Sequence, residues 1–426
     1  MGKKTYCFLF FSIIILIISY LLYDSLELSF EEVELNGPNS KARCLDGSPY
    51  KFLVSKGFGD GQNSFLFFFE HGGFCGDNNY DPNNKNNILP SCYKRLKRNI
   101  GSNRFPIIDR FFISYFSKLF SRKQSMNPDF YNWNKVFVKY CDGNIFQGYH
   151  EEPFIYNNTK IYVRGEKNVK EMLDYMIDNY SLSSASNVVV SGSSAGGIGS
   201  LMWSKYIHSL TPKSNFKVIS DSGYFVDKNV SLWDTNIMRE MIIRLTTQLK
   251  VEYTPLMSYY CPHKNEIWRC YFPPYFLDGI KNEFPILILT SLYDSWGLRR
   301  LVGTGCYFKN FKVNDNCNST EIQHFERYAK YALEGLEVFN TSKVENKITA
   351  WIPKGYYHMY IYMNIHWNSP NYAVESYTLE RIIDDWYNER LNKTKKLYYD
   401  NEIKKYNYDV YWLYKYFSSL TKKLVK

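Results

Sequence analysis

The sequence predicts an α/β fold, a mostly parallel sheet flanked by helices, and three observations predict it. Short apolar runs rich in β-branched and aromatic residues recur at 65–69, 135–140, 188–191, 217–220, 285–290 and 348–352. Stretches with helical spacing of apolar residues fall between and after them, at 167–179, 197–209, 232–249, 322–338 and 374–390. Strands that alternate with helices, without internal repeats, are the pattern of a parallel sheet covered by helices. Third, 45% hydrophobic and 18% aromatic residues exclude a disordered chain and promise a bulky core.

The first element in order is an export signal. Lys3 and Lys4 precede residues 6–23, a run without charge that is just long enough to cross a bilayer as a helix. No Ala-x-Ala-like cleavage site follows, so the run reads as an uncleaved signal-anchor contacting the membrane, with a cytoplasmic N-terminus and the remainder lumenal or extracellular. Cleavage and secretion is the alternative. Residues 24–43 read as a polar stalk, and 44–387 as one domain without a convincing internal boundary. The stretch 77–104, rich in Asn, Lys and Pro, reads as a long loop.

The last segment, 388–426, is basic and aromatic. It holds ten basic and four acidic residues, a net +6, of a whole-chain charge of 52 − 42 = +10. With Lys3 and Lys4 set aside, the body is left near +2, which argues against a nucleic-acid partner. Tyr398, Tyr399, Tyr406, Tyr408, Tyr411, Trp412, Tyr414, Tyr416 and Phe417 make it too aromatic for a flexible linker. A helix from about Asp409 onward, packed on the domain, is one expectation. A segment meeting an anionic membrane surface is the other.

Cysteine usage agrees with export. Cys7 lies in the apolar run, which leaves Cys44, Cys75, Cys92, Cys141, Cys261, Cys270, Cys306 and Cys317. An even count beyond an export signal reads as disulfides. Eight cysteines allow 105 pairings; spacing prefers the local loops 75–92, 261–270 and 306–317, leaving 44–141. With no Cys-x-x-Cys pair and scattered histidines, a zinc site is not expected.

The chemistry lies after the run 187–191. Gly192-Ser193-Ser194-Ala195-Gly196 fits Gly-x-Ser-x-Gly between a strand and a helix, the context of a nucleophile elbow. Ser194 is the candidate nucleophile and needs a base and a group to orient that base. Asp294, just past the strand 285–290, is the candidate acid, with Asp221 as its rival. His358, on a loop after the strand 348–352, is the candidate base, with His366 as competitor. Donors for a tetrahedral oxyanion are expected from the N–H of Ala195 and from the loop Glu70-His71-Gly72-Gly73-Phe74-Cys75.

These residues carry a resemblance. Cys44-Leu-Asp-Gly-Ser-Pro49, Glu70 to Cys75, Asn127-Pro-Asp-Phe-Tyr-Asn-Trp133, Tyr140-Cys-Asp-Gly143, Ser191 to Gly197, Ser220-Asp-Ser-Gly-Tyr224, Tyr293-Asp-Ser-Trp296 and His358 occur in the order of the pectin acetylesterase family. That family also contains the animal Wnt deacylase Notum. The resemblance covers roughly four fifths of the chain and fades near Asp385-Trp386-Tyr387. It implies a disulfide-bonded α/β-hydrolase fold, no metal and no organic cofactor. It implies Ser194 as nucleophile, Asp294 as orienting acid, His358 as base, and the N–H groups of Gly73, Phe74 and Ala195 as oxyanion hole. Family members usually read Gly-Gly-Gly-Trp where this chain has His71-Gly72-Gly73-Phe74, so the pocket wall differs. Plant-type members carry cysteines where this chain has Ser193 and Met359.

The expected function is a secretory-pathway serine carboxylesterase that removes O-acyl groups, O-acetyl first among them, from a polysaccharide or glycan. A deacylase of a longer chain on a protein or lipid is the alternative. A non-catalytic binding ectodomain is the other class, but such a protein is expected to have lost Ser194, Asp294 or His358, and all three are present.

Overall fold

The computed structural model describes residues 30–77, 87–105, 118–250, 265–304, 317–341, 346–353, 355–362 and 364–400, together with Cys261, His263 and Cys306. The apolar run 6–23 and the chain from 401 onward lie outside the described residues. Among the described residues, no helix is long and apolar enough to cross a membrane.

Nine strands form one sheet in the order β1-β2-β4-β3-β7-β8-β9-β10-β11. They are β1 (Glu31–Leu35), β2 (Tyr50–Ser55), β3 (Ser64–Phe69), β4 (Asn134–Val138), β7 (Asn187–Ser193), β8 (Asn215–Asp221), β9 (Ile286–Leu289), β10 (Ile348–Ile352) and β11 (Leu397–Tyr399). From β4 through β11 every pairing is parallel; β1 pairs β2, and β2 pairs β4, antiparallel. A separate hairpin joins β5 (Phe154–Tyr156) and β6 (Thr159–Ile161) through Asn157 and Asn158, both at positive φ. Asparagine tolerates that backbone, which suits the tight two-residue turn.

The central strands are apolar without alternation because both faces are covered. Phe65, Phe67 and Phe69 of β3 enter one core and Leu66 and Phe68 the other, as the two-residue period of a strand requires. Helices α2 (Gly165–Tyr180), α3 (Ala195–Leu210), α4 (Ile237–Gln248), α5 (Pro273–Ile280) and α6 (Ser319–Thr341) serve the first face. The second is covered by α7 (Leu379–Tyr387), through Leu379, Ile382, Ile383 and Trp386, and by Tyr360 and Ile361.

Four expectations need correction. Residues 31–35, read as stalk, are an edge strand of the sheet. Residues 397–399, read as extension, are its opposite edge, with Leu397 and Tyr398 buried. The loop 77–104 contains the helix α1 (Leu89–Leu96), whose Pro90 suits a first turn. The helix predicted from 374 begins at Leu379, where the Thr378 side chain accepts the Arg381 N–H at 3.3 Å.

Four disulfides link Cys44–Cys141, Cys75–Cys92, Cys261–Cys270 and Cys306–Cys317, the pairing that spacing preferred. The first joins positions 97 apart and both its residues are fully buried. Replacing Cys44 and Cys141 together by Ala is expected to cost about 2–5 kcal/mol of stability. The readout is the denaturant midpoint of unfolding; an unchanged midpoint refutes that weight.

Candidate active site

The elbow forms where β7 meets α3. Gly192 and Gly196 are required by close approach: a Cβ on Gly196 would lie 2.0 Å from the Phe69 carbonyl oxygen, and one on Gly192 would lie 2.2 Å from the Gly196 oxygen. Between them Ser194 takes φ +57° and ψ −120°, a backbone conformation that costs free energy and is held by its surroundings. Its N–H donates to the Asp221 carbonyl at 2.8 Å, and its own carbonyl accepts the Ile198 N–H at 3.1 Å. The hydroxyl thus stands at the N-terminus of a 16-residue helix, where negative charge is favoured.

Asp294 follows β9 and His358 follows β10, two and three strands along the sheet from β7. His358 Nε2 lies 2.8 Å from Ser194 Oγ, and His358 Nδ1 lies 2.7 Å from Asp294 Oδ2. The other carboxylate oxygen, Oδ1, accepts the Gly297 N–H at 2.8 Å. Asp294 is nearly inaccessible at 2%, whereas the His358 side chain keeps 12% exposure. The His358 ring therefore keeps slight solvent access, with the buried Asp294 carboxylate on its Nδ1 side and Ser194 Oγ on its Nε2 side. The acid and base loops are also joined directly, because the Ser291 hydroxyl hydrogen-bonds the Gly355 carbonyl.

The rivals are placed elsewhere. His366 is fully buried, with Nδ1 3.3 Å from the Tyr360 carbonyl and its ring edge-on to Tyr357 and Tyr372. Burial pushes its pKa down to about 3, so it stays neutral there. Asp221 accepts four hydrogen bonds, from the Ser193 and Ser222 hydroxyls and from the Tyr360 and Ile361 N–H groups.

The loop 70–74 is held by its carbonyls. Arg95 of α1 donates to the Gly72 carbonyl at 2.5 Å and to the Phe74 carbonyl at 3.2 Å. The Tyr140 hydroxyl donates to the Gly73 carbonyl at 2.5 Å. Fixing each carbonyl fixes the amide on the opposite side of the same peptide plane. One expected oxyanion donor is engaged: the Phe74 N–H donates to the Asp77 carboxylate at 3.2 Å. Asp77 is buried, which raises its pKa against the pull of Arg95 and the Phe74 amide. His71 is desolvated and sits near His358, which lowers its pKa to about 4.

Sequence reasoning named Phe74 as a change in the pocket wall but missed the two aromatic rings that stand with it. The Trp296 ring stacks 6.3 Å from the His358 ring at 23°, and Phe225 lies 5.1 Å and Phe74 6.3 Å from Trp296. Two of the three follow motif residues directly, Trp296 after Asp294-Ser295 and Phe225 after Gly223-Tyr224. That adjacency was the available signal.

The pectinacetylesterase family model matches residues 28–406 of this chain. The chain belongs to that family. Among curated relatives, pectin acetylesterase 5 of Arabidopsis thaliana is 28% identical over 354 residues, covering 81% of this chain and 77% of that protein. The palmitoleoyl-protein carboxylesterase NOTUM of Schmidtea mediterranea is 25% identical over 271 residues, 60% of this chain and 47% of that protein. In structure, the Wnt deacylase Notum of Drosophila superposes with a TM-score of 0.65 at 16% identity, covering 87% of this chain and 96% of that one. This pectinacetylesterase-family member is accordingly a carboxylic ester hydrolase on a Notum-like α/β fold.

Proposed function

We propose that the protein is a serine carboxylesterase of the secretory pathway that removes O-acyl groups, most of all O-acetyl, from a polysaccharide or glycan. The hydrogen-bonded line from Ser194 through His358 to Asp294, at 2.8 and 2.7 Å, carries the reading. His358 takes the Ser194 proton as Oγ attacks the ester carbonyl, and Asp294 holds the imidazole with Nδ1–H pointing away from the serine. The oxyanion forms beside the Gly73 and Ala195 N–H groups. Phe74 joins them only on releasing Asp77. His358 then passes its proton to the leaving alcohol, and water, activated by the same imidazole, releases the acid from the acyl-enzyme.

The aromatic wall favours a second reading, a longer acyl chain on a protein or lipid. Trp296, half-buried and stacked on His358, with the buried rings of Phe74 and Phe225 behind it, puts apolar surface beside the base, where a chain beyond acetyl would lie. A series of p-nitrophenyl esters separates the two. The glycan reading expects kcat/KM to be highest for acetate and to fall about tenfold or more by octanoate. A maximum at eight or more carbons replaces it with the second reading. Absence of labelling by a fluorophosphonate probe would instead favour the binding ectodomain.

A further inference from the structure

Asp221 lies at the C-terminal end of β8, opposite Ser193 of β7 in the sheet register, and is fully buried. Oδ2 accepts the Ser193 hydroxyl at 2.6 Å and the Ile361 N–H at 3.0 Å. Oδ1 accepts the Tyr360 N–H at 3.0 Å and the Ser222 hydroxyl at 3.0 Å. The Ser222 oxygen in turn accepts the Met359 N–H at 2.8 Å. The backbone carbonyl of Asp221 holds the Ser194 N–H. One residue therefore grips the chain on both sides of the reacting pair: Ser193 and Ser194 at the nucleophile, and Tyr360 and Ile361 after the base, with Met359 held through Ser222. Met359, directly after His358, sits at φ +73°, a conformation that a methionine adopts only when its surroundings hold it.

We infer that Asp221 is a positioning residue, a buried carboxylate clamp that fixes the His358 loop relative to the nucleophile elbow. This rests on the triad reading above. The alternatives are weaker. As the orienting acid it is displaced by Asp294, which holds His358 Nδ1. As a mere sheet-edge polar group it would not need two backbone donors from a loop 139 and 140 positions away. An isolated buried carboxylate is costly, and four donors offset that cost. The consequence is geometric: the 2.8 Å approach of Nε2 to Oγ depends on a loop that this carboxylate anchors. A displacement near 1 Å at that contact can lower the rate by about two orders of magnitude.

Asparagine is the informative substitution. Each carboxylate oxygen receives one backbone N–H and one hydroxyl. Whichever way the amide of Asp221→Asn is turned, its NH2 faces a backbone N–H, which cannot reverse its role as a hydroxyl can. The experiment titrates active sites with a fluorophosphonate and measures kcat and KM for p-nitrophenyl acetate. Expected is a fall in kcat per titrated site of about 10- to 100-fold with KM within about twofold. A purely structural role predicts fewer titratable sites, each with wild-type kcat, and that result overturns the inference. Ser222→Ala, which removes the Met359 link and one of the two hydroxyl donors but keeps the carboxylate and both of its backbone donors, serves if Asp221→Asn does not fold. It is expected to lower kcat per site about three- to tenfold, and an unchanged value likewise overturns the clamp. Wild-type behaviour of either variant leaves the triad untouched, whereas full activity of Ser194→Ala would remove the triad itself.

Discussion

Ser194→Ala is expected to reduce kcat by about four to six orders of magnitude while the protein melts within a few degrees of wild type. Among the described residues, the removed oxygen meets His358 Nε2 alone, so little packing goes with it. The substituted residue still has to adopt φ +57°, which β7 and α3 impose in either protein. Turnover is measured with p-nitrophenyl acetate and folding by circular dichroism. A folded variant with more than a few per cent of wild-type kcat would move the nucleophile elsewhere.

Asp294→Asn is the second large effect, and its direction follows from which oxygen goes where. The Gly297 N–H donates to Oδ1 and can only be met by an acceptor. The asparagine carbonyl therefore takes that position, and its NH2 turns toward His358 Nδ1. The imidazole must then accept at Nδ1 and carry its proton on Nε2, the atom that should receive the proton of Ser194. The expected loss is about 10⁴-fold in kcat at little change in KM. A loss below tenfold would mean that Asp294 does not set the tautomer.

Much of this was legible in the sequence, and what was not has physical causes. Stretches such as 65–69 and 188–190 announce central strands because a strand buried on both faces can be apolar at every position. Ser194, Asp294 and His358 were readable because each lies just beyond a strand's C-terminal end, where a parallel sheet presents its loops. The edge strands were hidden: β1 buries Val33 alone among its five residues, and β11 is three residues long. The role of Asp221 was also hidden, since its partners at 360 and 361 are neighbours only after folding. The engagement of the Phe74 amide by Asp77 depends on one side-chain placement, which no pattern of residue types records.

The pairing of β10 with β11 bears on how the chain is made. Until residue 399 has been synthesised, the outer side of Ile348–Ile352 is an open parallel edge of sequence Ile-Thr-Ala-Trp-Ile. An apolar edge of that kind recruits strands from other molecules. A chain shortened to residue 390 would be frozen in that state, and its loss of solubility would say nothing about the basic tail. Shortening designed to remove the tail has to stop after residue 400, where β11 already covers β10.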